Sequence, residues 1–315
     1  MGFIPSCDES SLHLYHRNHS PLSEPIMSLA FDVTLVTCRP LPEPNPDEVP
    51  LLNALTKAGL EVRLCAWDDE SVEWSTSAVT LIRSTWDYHR RRDAFLQWAS
   101  EVDNVSLLLN PPEVVEWNSH KSYLLTLPLR GVPVVPTVLV EKGTTISLEQ
   151  ISRGEEWPRL VIKPAVSAGS YETHAMEQEN LDEATFRRLV DAEDVLVQPY
   201  IESVDHHGER SLIFIDGECT HCIRKHPRFA EDDERVTGPH EPTADELTVA
   251  RSALQAVSRN LLYARVDLVE NADKQPVVAE LELIEPSLFF RFSDAALTRF
   301  TESIVKRVIE RNTRH

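Results

Sequence analysis

Three acidic side chains and one arginine occupy alternate positions of two neighbouring predicted strands. The segment ARVDLVENADKQPVVAELELIEPS, residues 264–287, alternates apolar and polar residues on both sides of a turn at 271–273. Residues two apart on a strand point to the same face, so Arg265 shares a face with Asp267, and Glu280 with Glu282. If the two arms pair as a hairpin, three carboxylates and a guanidinium converge. Such oxygen ligands suit Mg²⁺ bridged to phosphate, and the alternative is a solvent-facing acidic strand face.

A lysine followed by a loop of small residues is the second feature that could do chemistry. The strand-like run PRLVIKPAV, residues 158–166, leads through Lys163 into a loop that contains Ser167, Gly169 and Ser170. Backbone N–H groups and hydroxyls beside a lysine are what phosphate-binding loops offer. The spacing is not that of a Walker P-loop, and an ordinary turn is the alternative.

A third cluster, RSTWDYH at 83–89, ends the predicted strand VTLIR. Ligands in open α/β sheets bind beyond the carboxyl ends of the strands. We interpret the cluster as a clamp for a small zwitterionic substrate. Arg83 would pair with a carboxylate, Asp87 with an ammonium, and Trp86 and Tyr88 would form flat walls. The alternatives are a capped helix N-terminus and an arginine that braces the loop.

Composition argues against several classes of partner. The 315-residue chain is 42% hydrophobic, which is enough for a large core with two or three subdomains. A net charge of −20 and a pI near 5.0 argue against nucleic acid and anionic membranes as main partners. No apolar run approaches the roughly 20 residues of a membrane span. The five cysteines, without a secretory signal, favour a reducing, cytoplasmic location.

The first 28 residues differ in composition from the rest and are expected to form a disordered tail that catalysis does not need. Their start formally matches a myristoylation signal, which anchors a protein only weakly by itself. From Phe31 the chain alternates strands and helices. The predicted elements are the strands FDVTLVT, EVRLCAW and VTLIR, a helix near 48–58, a helix over HRRRDAFLQWASEV and a helix carrying Lys121.

A second unit begins near Gly131. It contains the predicted strands VPVVPTVLV, PRLVIKPAV and VLVQPYIESV, the helix LDEATFRRLVDA, and the hairpin ERSLIFIDGECTHCIRK. That hairpin turns Cys219 and Cys222 to opposite faces, which argues against a zinc site. Residues 226–242 are predicted to be a long loop that acts as a mobile lid. A helix with a Thr243/Glu246 capping box and the final helix DAALTRFTESIVKRVIERN complete the chain.

The order of these motifs resembles that of the ATP-grasp superfamily from about Asp32 to the C-terminus. The motifs are Lys121, Lys163 before its loop, VLVQPYI, GERSLIFIDGE, ARVDLVE and AELELIEPS. The branch is the one with bacterial glutathione synthetase and D-alanine–D-alanine ligase. RSTWDYH, WNSHK and ELELIEPSLFF are similar to the cycloserine-forming O-ureido-serine cyclo-ligase group.

This resemblance implies an α/β fold that is α+β in its ATP-binding part. It divides the chain into an N-terminal open α/β substrate domain (29–112), a central ATP-grasp subdomain with the phosphate loop (113–193), and a C-terminal subdomain with the metal site (194–315). Relatives of this kind are commonly oligomeric, so a homo-oligomer is one expectation, but the sequence does not fix the oligomeric state.

The implied activity is ATP-dependent carboxylate–amine ligation or cyclo-ligation on a small amino acid-like substrate. A carboxylate attacks the γ-phosphate, and a nitrogen nucleophile displaces phosphate from the acyl phosphate, which requires positioning and charge neutralisation. The implied cofactors are ATP and two Mg²⁺ or Mn²⁺ ions. The implied metal ligands are Asp267, Glu280 and Glu282. The implied ATP-binding residues are Lys121, Lys163, Ser167, Gly169, Ser170, Gln198, Pro199, Tyr200, Ile201 and Glu209. The implied catalytic residues are Arg265, Lys225 and Arg83.

The sequence departs from this pattern in three places. Glu282 stands where glutathione synthetase and its relatives have asparagine, Ser211 stands where arginine is frequent, and the loop after Lys163 lacks a second adjacent glycine. Two other functions therefore stay open: a protein-modifying amino acid ligase and a non-catalytic ATP-binding regulator.

Overall fold

The computed structural model describes residues 29–41, 45–226, 235–257 and 259–313. The predicted tail, 1–28, lies outside the described residues, as do residues 227–234 of the predicted lid. The described residues form three sheets with helices packed on them, which confirms the predicted fold class. No helix among them is long and apolar enough to cross a membrane.

The N-terminal sheet is open and parallel, as predicted. Its strands are β1 (Phe31–Thr37), β2 (Val62–Ala66), β3 (Ser77–Ser84) and β4 (Leu107–Leu109), in the spatial order β2-β1-β3-β4. Helix α1 (Glu48–Lys57) connects β1 to β2, and α2 (Arg92–Asp103) connects β3 to β4. All eight residues of β3 are buried, as is typical of a central parallel strand. The segment RSTWDYH begins at its carboxyl end.

The central sheet is antiparallel and follows two short helices, α3 (Pro112–Asn118) and α4 (Tyr123–Thr126). Its strands are β5 (Val138–Val140), β6 (Arg159–Pro164), β7 (His174–Glu177) and β8 (Val195–Pro199), in the order β5-β8-β6-β7. Helices α5 (Leu148–Gly154) and α6 (Glu183–Ala192) pack on it through one apolar cluster.

Two predictions in this region were wrong. Lys121 lies in the turn between α3 and α4 rather than within a helix, because its N–H donates to Ala165 O at 2.7 Å instead of to a helical carbonyl. The predicted strand 132–140 is reduced to β5. Pro133 and Pro136 have no N–H to donate to a ladder, and Val134 forms only an isolated bridge.

The C-terminal sheet is antiparallel and contains both predicted hairpins. Its strands are β9 (Glu209–Ile215), β10 (Glu218–Lys225), β11 (Val236–His240), β12 (Tyr263–Glu270) and β13 (Pro276–Glu282), in the order β11-β10-β9-β12-β13. Helices α7 (Ala244–Val257) and α8 (Asp294–Asn312) complete this part. The capping box at the start of α7 is confirmed, since Glu246 N–H donates to Thr243 Oγ1 at 3.1 Å.

The prediction of a continuous loop over 226–242 was wrong for residues 236–240, which form β11 and pair with β10 at the edge of the sheet. Its side chains alternate between half-buried and exposed, so an edge strand of this kind needs few apolar residues. The low apolar content that favoured a loop is therefore a property of the sheet edge.

One hydrophobic core joins the N-terminal and C-terminal sheets. It contains Leu81 of β3, Ile213 of β9, Tyr263 of β12 and Phe300 of α8. The Tyr263 hydroxyl lies 3.1 Å from Ile82 O and 2.7 Å from Ile284 O. The carboxyl end of β3 is thereby fixed beside the segment that follows β13.

Candidate active site

The β12–β13 hairpin brings together the four charged residues that the sequence singled out. Arg265 pairs with Glu282 across the ladder, and Asp267 pairs with Glu280. Arg265 and Asp267 are buried, whereas the side chains of Glu280 and Glu282 keep 27% and 28% of their surface exposed. The hairpin thus presents one charged surface, in which the two charged side chains from β12 are buried and the two from β13 are partly exposed to solvent.

Three lysines from other elements complete this surface. Lys121 Nζ lies 3.1 Å from Glu280 Oε1, and Lys163 Nζ lies 3.9 Å from Glu280 Oε2. Lys225 Nζ lies 2.5 Å from Glu209 Oε1 and 2.9 Å from Asp267 Oδ2. Arg265 Nε lies 3.0 Å from Asp267 Oδ1, and its Nη2 contacts Glu282. We call these eight residues the ion-pair network: Lys121, Lys163, Lys225, Arg265, Glu209, Asp267, Glu280 and Glu282.

The network differs from the sequence expectation in one respect. The three carboxylates were expected to converge on a cation, but no group of three or more metal-binding side chains stands together among the described residues. Like charges at short range repel, so each carboxylate is paired with a lysine or arginine instead. The oxygen-only donor set of Asp267, Glu280 and Glu282 suits a hard cation such as Mg²⁺ once those amino groups leave.

The protonation states show how closely the charges are balanced. Burial opposes ionisation of Asp267, but Arg265 and Lys225 outweigh it and hold its pKa well below the usual range. Burial raises the pKa of Glu282 to about 7, with Asp267 adding to the shift and Arg265 opposing it. Burial also lowers the pKa of Lys163, against the pull of Glu280. An unpaired charge in this surface is therefore unfavourable.

The phosphate loop, which we define as residues 165–173, lies against Lys121. Lys121 Nζ donates to Ser167 O at 2.6 Å, and Ser167 Oγ donates to Pro164 O at 3.3 Å. Gly169 and Ser170 have φ angles of +59° and +60° and are exposed. The loop therefore turns Gly169 and Ser170 outward in a left-handed conformation that glycine tolerates best, while Ser167 stays buried beside Lys121.

The segment expected to bind adenine, Gln198 to Ile201, covers the end of β8 and the two residues after it, and β8 pairs with the strand β6 that carries Lys163. Gln198 pairs with Val161, two residues before Lys163, and its side chain donates to Thr137 Oγ1 at 2.8 Å. Tyr200 N–H donates to Arg159 O at 2.9 Å, and the Arg159 guanidinium lies 3.5 Å from the Tyr200 ring centroid. Pro199 has no N–H, and the N–H of Tyr200 is already bonded. The N–H of Ile201 has no hydrogen-bond acceptor among the described residues, so it is the donor that could bind adenine.

A segment that sequence reasoning left without a role connects β13 to α8. We call residues 283–290 the strap. Five successive backbone carbonyls of the strap each accept a hydrogen bond from a different side chain. These bonds run from Asn110 to Leu283 (2.8 Å), Tyr263 to Ile284 (2.7 Å), Trp86 to Glu285 (3.2 Å), Arg83 to Pro286 (2.8 Å) and Arg265 to Ser287 (3.3 Å).

The remaining strap residues are held through their N–H groups. Buried Asp47 accepts from Leu288, Phe289 and Phe290 at 2.7, 2.9 and 2.9 Å. Asn118 contributes at the strap's start, where its side chain accepts from Leu283 N–H and donates to Leu281 O. Asn118 lies within the WNSHK motif, whereas Asp47 lies in none of the motifs that the sequence analysis identified.

The expected substrate clamp has a different arrangement. Arg83 is 3% exposed, and its guanidinium lies 5.3 Å from the Tyr263 ring centroid in addition to its bond with Pro286 O. Asp87 accepts from the Trp67 indole at 2.9 Å. These contacts favour the bracing alternative for Arg83, and they leave Asp87 engaged within the N-terminal sheet.

Comparison with known proteins agrees with this geometry. A family described as D-cycloserine synthetase DcsG, N-terminal domain, matches residues 33–110. The cycloserine biosynthesis protein DcsG of Streptomyces lavendulae is 33% identical over 284 residues, which cover 83% of this chain and 94% of that protein. The crystal structure of D-cycloserine synthetase DcsG matches with a TM-score of 0.77 at 32% identity, over 88% of this chain and 99% of that one.

Two more distant structures share the fold. The ATP-grasp ligase PsnB, complexed with a minimal precursor, has a TM-score of 0.63 at 16% identity over 88% of this chain and 99% of its own. D-alanine–D-alanine ligase from Bacillus anthracis, complexed with ATP, has a TM-score of 0.65 at 14% identity over 91% of this chain and 100% of its own.

Proposed function

This chain belongs to the family of ATP-grasp ligases related to the cycloserine synthetase DcsG, and we propose that its substrate is a small amino acid closed by intramolecular ligation. As a member of that family it is an ATP-dependent ligase that joins a carboxylate to an amine. The similarity to the cycloserine synthetase supports the substrate class. The ion-pair network supports the ATP-dependent step, because cations suited to phosphate and carboxylates suited to Mg²⁺ lie paired with one another.

The charges of the network suggest how it takes up nucleotide. Its four cations and four carboxylates sum to zero formal charge. ATP⁴⁻ with two Mg²⁺ ions also sums to zero, so joint entry exchanges partners without leaving a net charge. If ATP or Mg²⁺ enters alone, some charges of the network lose their partners. The Coulomb energy lost is about 4 kcal/mol for each pair of unit charges 4 Å apart at a dielectric constant near 20. Metal and nucleotide should therefore bind cooperatively.

Each residue then has a role in the proposed reaction. Lys121 and Lys163 bind the α- and β-phosphates after leaving Glu280, and the phosphate loop with Ser167, Gly169 and Ser170 closes over them. Glu209 accepts from the ribose, and the backbone of 198–201 contacts adenine. Asp267, Glu280 and Glu282 would hold the Mg²⁺ ions, which neutralise phosphate charge when bound.

The acyl-transfer half depends on Arg265 and Lys225. Arg265 already connects the network to Ser287 O of the strap, so its guanidinium is positioned to stabilise the transferred phosphoryl group and the tetrahedral intermediate. Lys225 bridges Glu209 and Asp267 and offsets the repulsion between the two carboxylates. Arg83 acts through the strap by fixing Pro286.

Thermal unfolding tests the exchange. We expect ATP with Mg²⁺ to raise the melting temperature by mass action, and either one alone to raise it far less. Glu280→Gln should remove the joint effect. Glu270→Gln is the matched control, since it lies on the same hairpin outside the network. Equal shifts in EDTA and in Mg²⁺ would contradict the proposal.

Product analysis tests the substrate class. ADP release is measured with free amino acids, including O-ureido-serine, in the absence of added protein. A product that contains one acid and has lost water, or water together with the carbamoyl group as carbon dioxide and ammonia, indicates intramolecular closure. A product that joins two acids indicates intermolecular ligation. Release that requires an added peptide would support the protein-modifying alternative instead.

A further inference from the structure

The strap presents one acidic side chain that the proposed roles do not use. Glu285 lies in its middle, between carbonyls that Tyr263 and Arg83 hold, and its own carbonyl accepts from the Trp86 indole. The backbone on both sides is therefore fixed by side chains from two different sheets. Fixing a backbone in this way fixes the direction of the Cα–Cβ bond from which the side chain extends.

The Glu285 carboxylate is half-buried, and it forms no hydrogen bond or ion pair with the residues that the structure describes. Burial, together with the charges of Glu282 and Glu280, raises the pKa of Glu285 to about 8, while Lys121 opposes the shift. The group is close enough to the ion-pair network for these charges to act on it. A carboxylate in this position lacks a cationic partner.

The other acids near this position already have partners. Asp87, which the sequence favoured as an ammonium ligand, accepts from Trp67 and lies 3.8 Å from Arg91. Asp47 is saturated by three strap N–H groups. The four acids of the network are paired with lysine or arginine. Among the described acids beside the strand-end segment 83–89, Glu285 is thus the one with a carboxylate available to a ligand.

We propose that Glu285 binds the ammonium group of the amino-acid substrate and thereby selects amino acids over carboxylic acids that lack an amino group. The inference rests on the proposed function, because it requires a small amino acid in this site. The ammonium supplies the positive charge that the carboxylate lacks, and the rigid strap holds the substrate's carboxylate end toward Arg265. Losing one charge-assisted hydrogen bond typically lowers kcat/KM by about ten- to a hundredfold.

The experiment compares acids that differ by one amino group. ADP release is measured with O-ureido-serine against 3-(ureidooxy)propanoate, and with serine against 3-hydroxypropanoate. We expect the wild-type protein to prefer the amino acid of each pair. Glu285→Gln should lose this preference by about ten- to a hundredfold, while KM for ATP and the shift in melting temperature with Mg²⁺-ATP stay unchanged. Glu285→Asp, which keeps the charge, should recover part of the preference.

Three results separate the possibilities. An unchanged preference in Glu285→Gln, or a wild-type protein without any preference, would overturn the inference. Loss of the preference in Asp87→Asn rather than in Glu285→Gln would overturn it in favour of the acid at the strand end. Failure of the proposed function is distinguishable, because the wild-type protein would then release no ADP with any free acid or would join two acids, and neither result depends on Glu285.

Discussion

The two segments that flank the ion-pair network are held in opposite ways. The strap is irregular backbone, but its carbonyls and N–H groups are bonded to side chains from distant parts of the chain. The phosphate loop is held at its start by Lys121 and Asp194, but from residue 168 onward its backbone bonds are its own turns, Tyr171 N–H to Ala168 O and Thr173 N–H to Ser170 O, and its tip is exposed. One wall of the site is therefore organised in advance, and the other is free to close over phosphate.

This difference fits the chemistry of the two halves of the reaction. The acyl group and its nucleophile must be aligned closely, and a fixed wall provides that alignment without further loss of entropy. ATP must enter and ADP must leave, so the wall over the phosphates has to open in each cycle. The predictions below test whether the strap is rigid and the loop is adaptable.

The largest effect is expected at Arg265, which connects the strap to the network. Arg265→Lys keeps the charge but cannot hold Asp267, Glu282 and Ser287 O together. We expect kcat/KM for ADP release to fall by about 10²–10³-fold. Arg291→Lys is the control, since Arg291 is exposed and, among the described residues, its guanidinium stacks on Phe289 and Phe292. Equal losses in both variants would place the effect outside the network.

The next effect is expected at Asp47, which anchors the end of the strap. Asp47→Asn replaces an acceptor oxygen by an amino group that cannot accept, so buried N–H groups lose their charged partner. We expect a loss of about 3 kcal/mol in the free energy of unfolding and a melting temperature lower by roughly 5–10 °C.

The matched control for Asp47 is Asp32→Asn. Asp32 also accepts from a backbone N–H, that of Glu61 at 2.9 Å, but this bond is exposed. We expect a change within about 0.5 kcal/mol. A destabilisation equal to that of Asp47→Asn would show that the strap is not held more firmly than an ordinary turn.

Asp47 also shows why part of the site could be predicted from the sequence and part could not. The hairpin required only the two-residue period of strands, so Arg265, Asp267, Glu280 and Glu282 were placed correctly by local pattern. The strap depends on contacts between residues about 20 to 240 positions apart, such as Asp47 with Phe289, and no local pattern records them.

The cluster RSTWDYH lies at the expected strand end, but two of its donors are bonded to backbone carbonyls rather than left facing a ligand. A peptide carbonyl and a substrate carboxylate are both acceptors, so the same donors suit either one. Arg83 and Trp86 bind the carbonyls of Pro286 and Glu285. Composition alone cannot distinguish a residue that binds the ligand from one that holds the segment beside it.

A smaller effect is expected at Arg83. Arg83→Lys loses the fixed bond to Pro286 O and the stacking on Tyr263 and Phe300. We expect the free energy of unfolding to fall by about 1–2 kcal/mol and KM for the amino acid to change less than about threefold. An unaltered melting temperature with KM raised about ten- to a hundredfold would restore Arg83 as a substrate clamp.

The smallest effect is expected at Gly169, at the tip of the phosphate loop. Gly143, which lies outside the loop, provides a matched control for the same substitution. Gly169 and Gly143 have φ angles of +59° and +77°, and a Cβ added at either meets nothing within 4 Å. An alanine therefore introduces the same backbone strain at both sites, about 1–2 kcal/mol, without a steric clash. The sites differ in how the strain can be relieved.

Gly143 is anchored by its N–H on Val190 O at 2.8 Å, whereas the exposed tip at Gly169 is free to rearrange. Gly143→Ala should therefore lower the melting temperature and leave KM for ATP unchanged. Gly169→Ala should leave the melting temperature nearly unchanged and raise KM for ATP up to about tenfold, because the strain returns when the loop closes on phosphate. If Gly169→Ala instead behaves like Gly143→Ala, the loop is as rigid as the strap, and the contrast between the two walls does not hold.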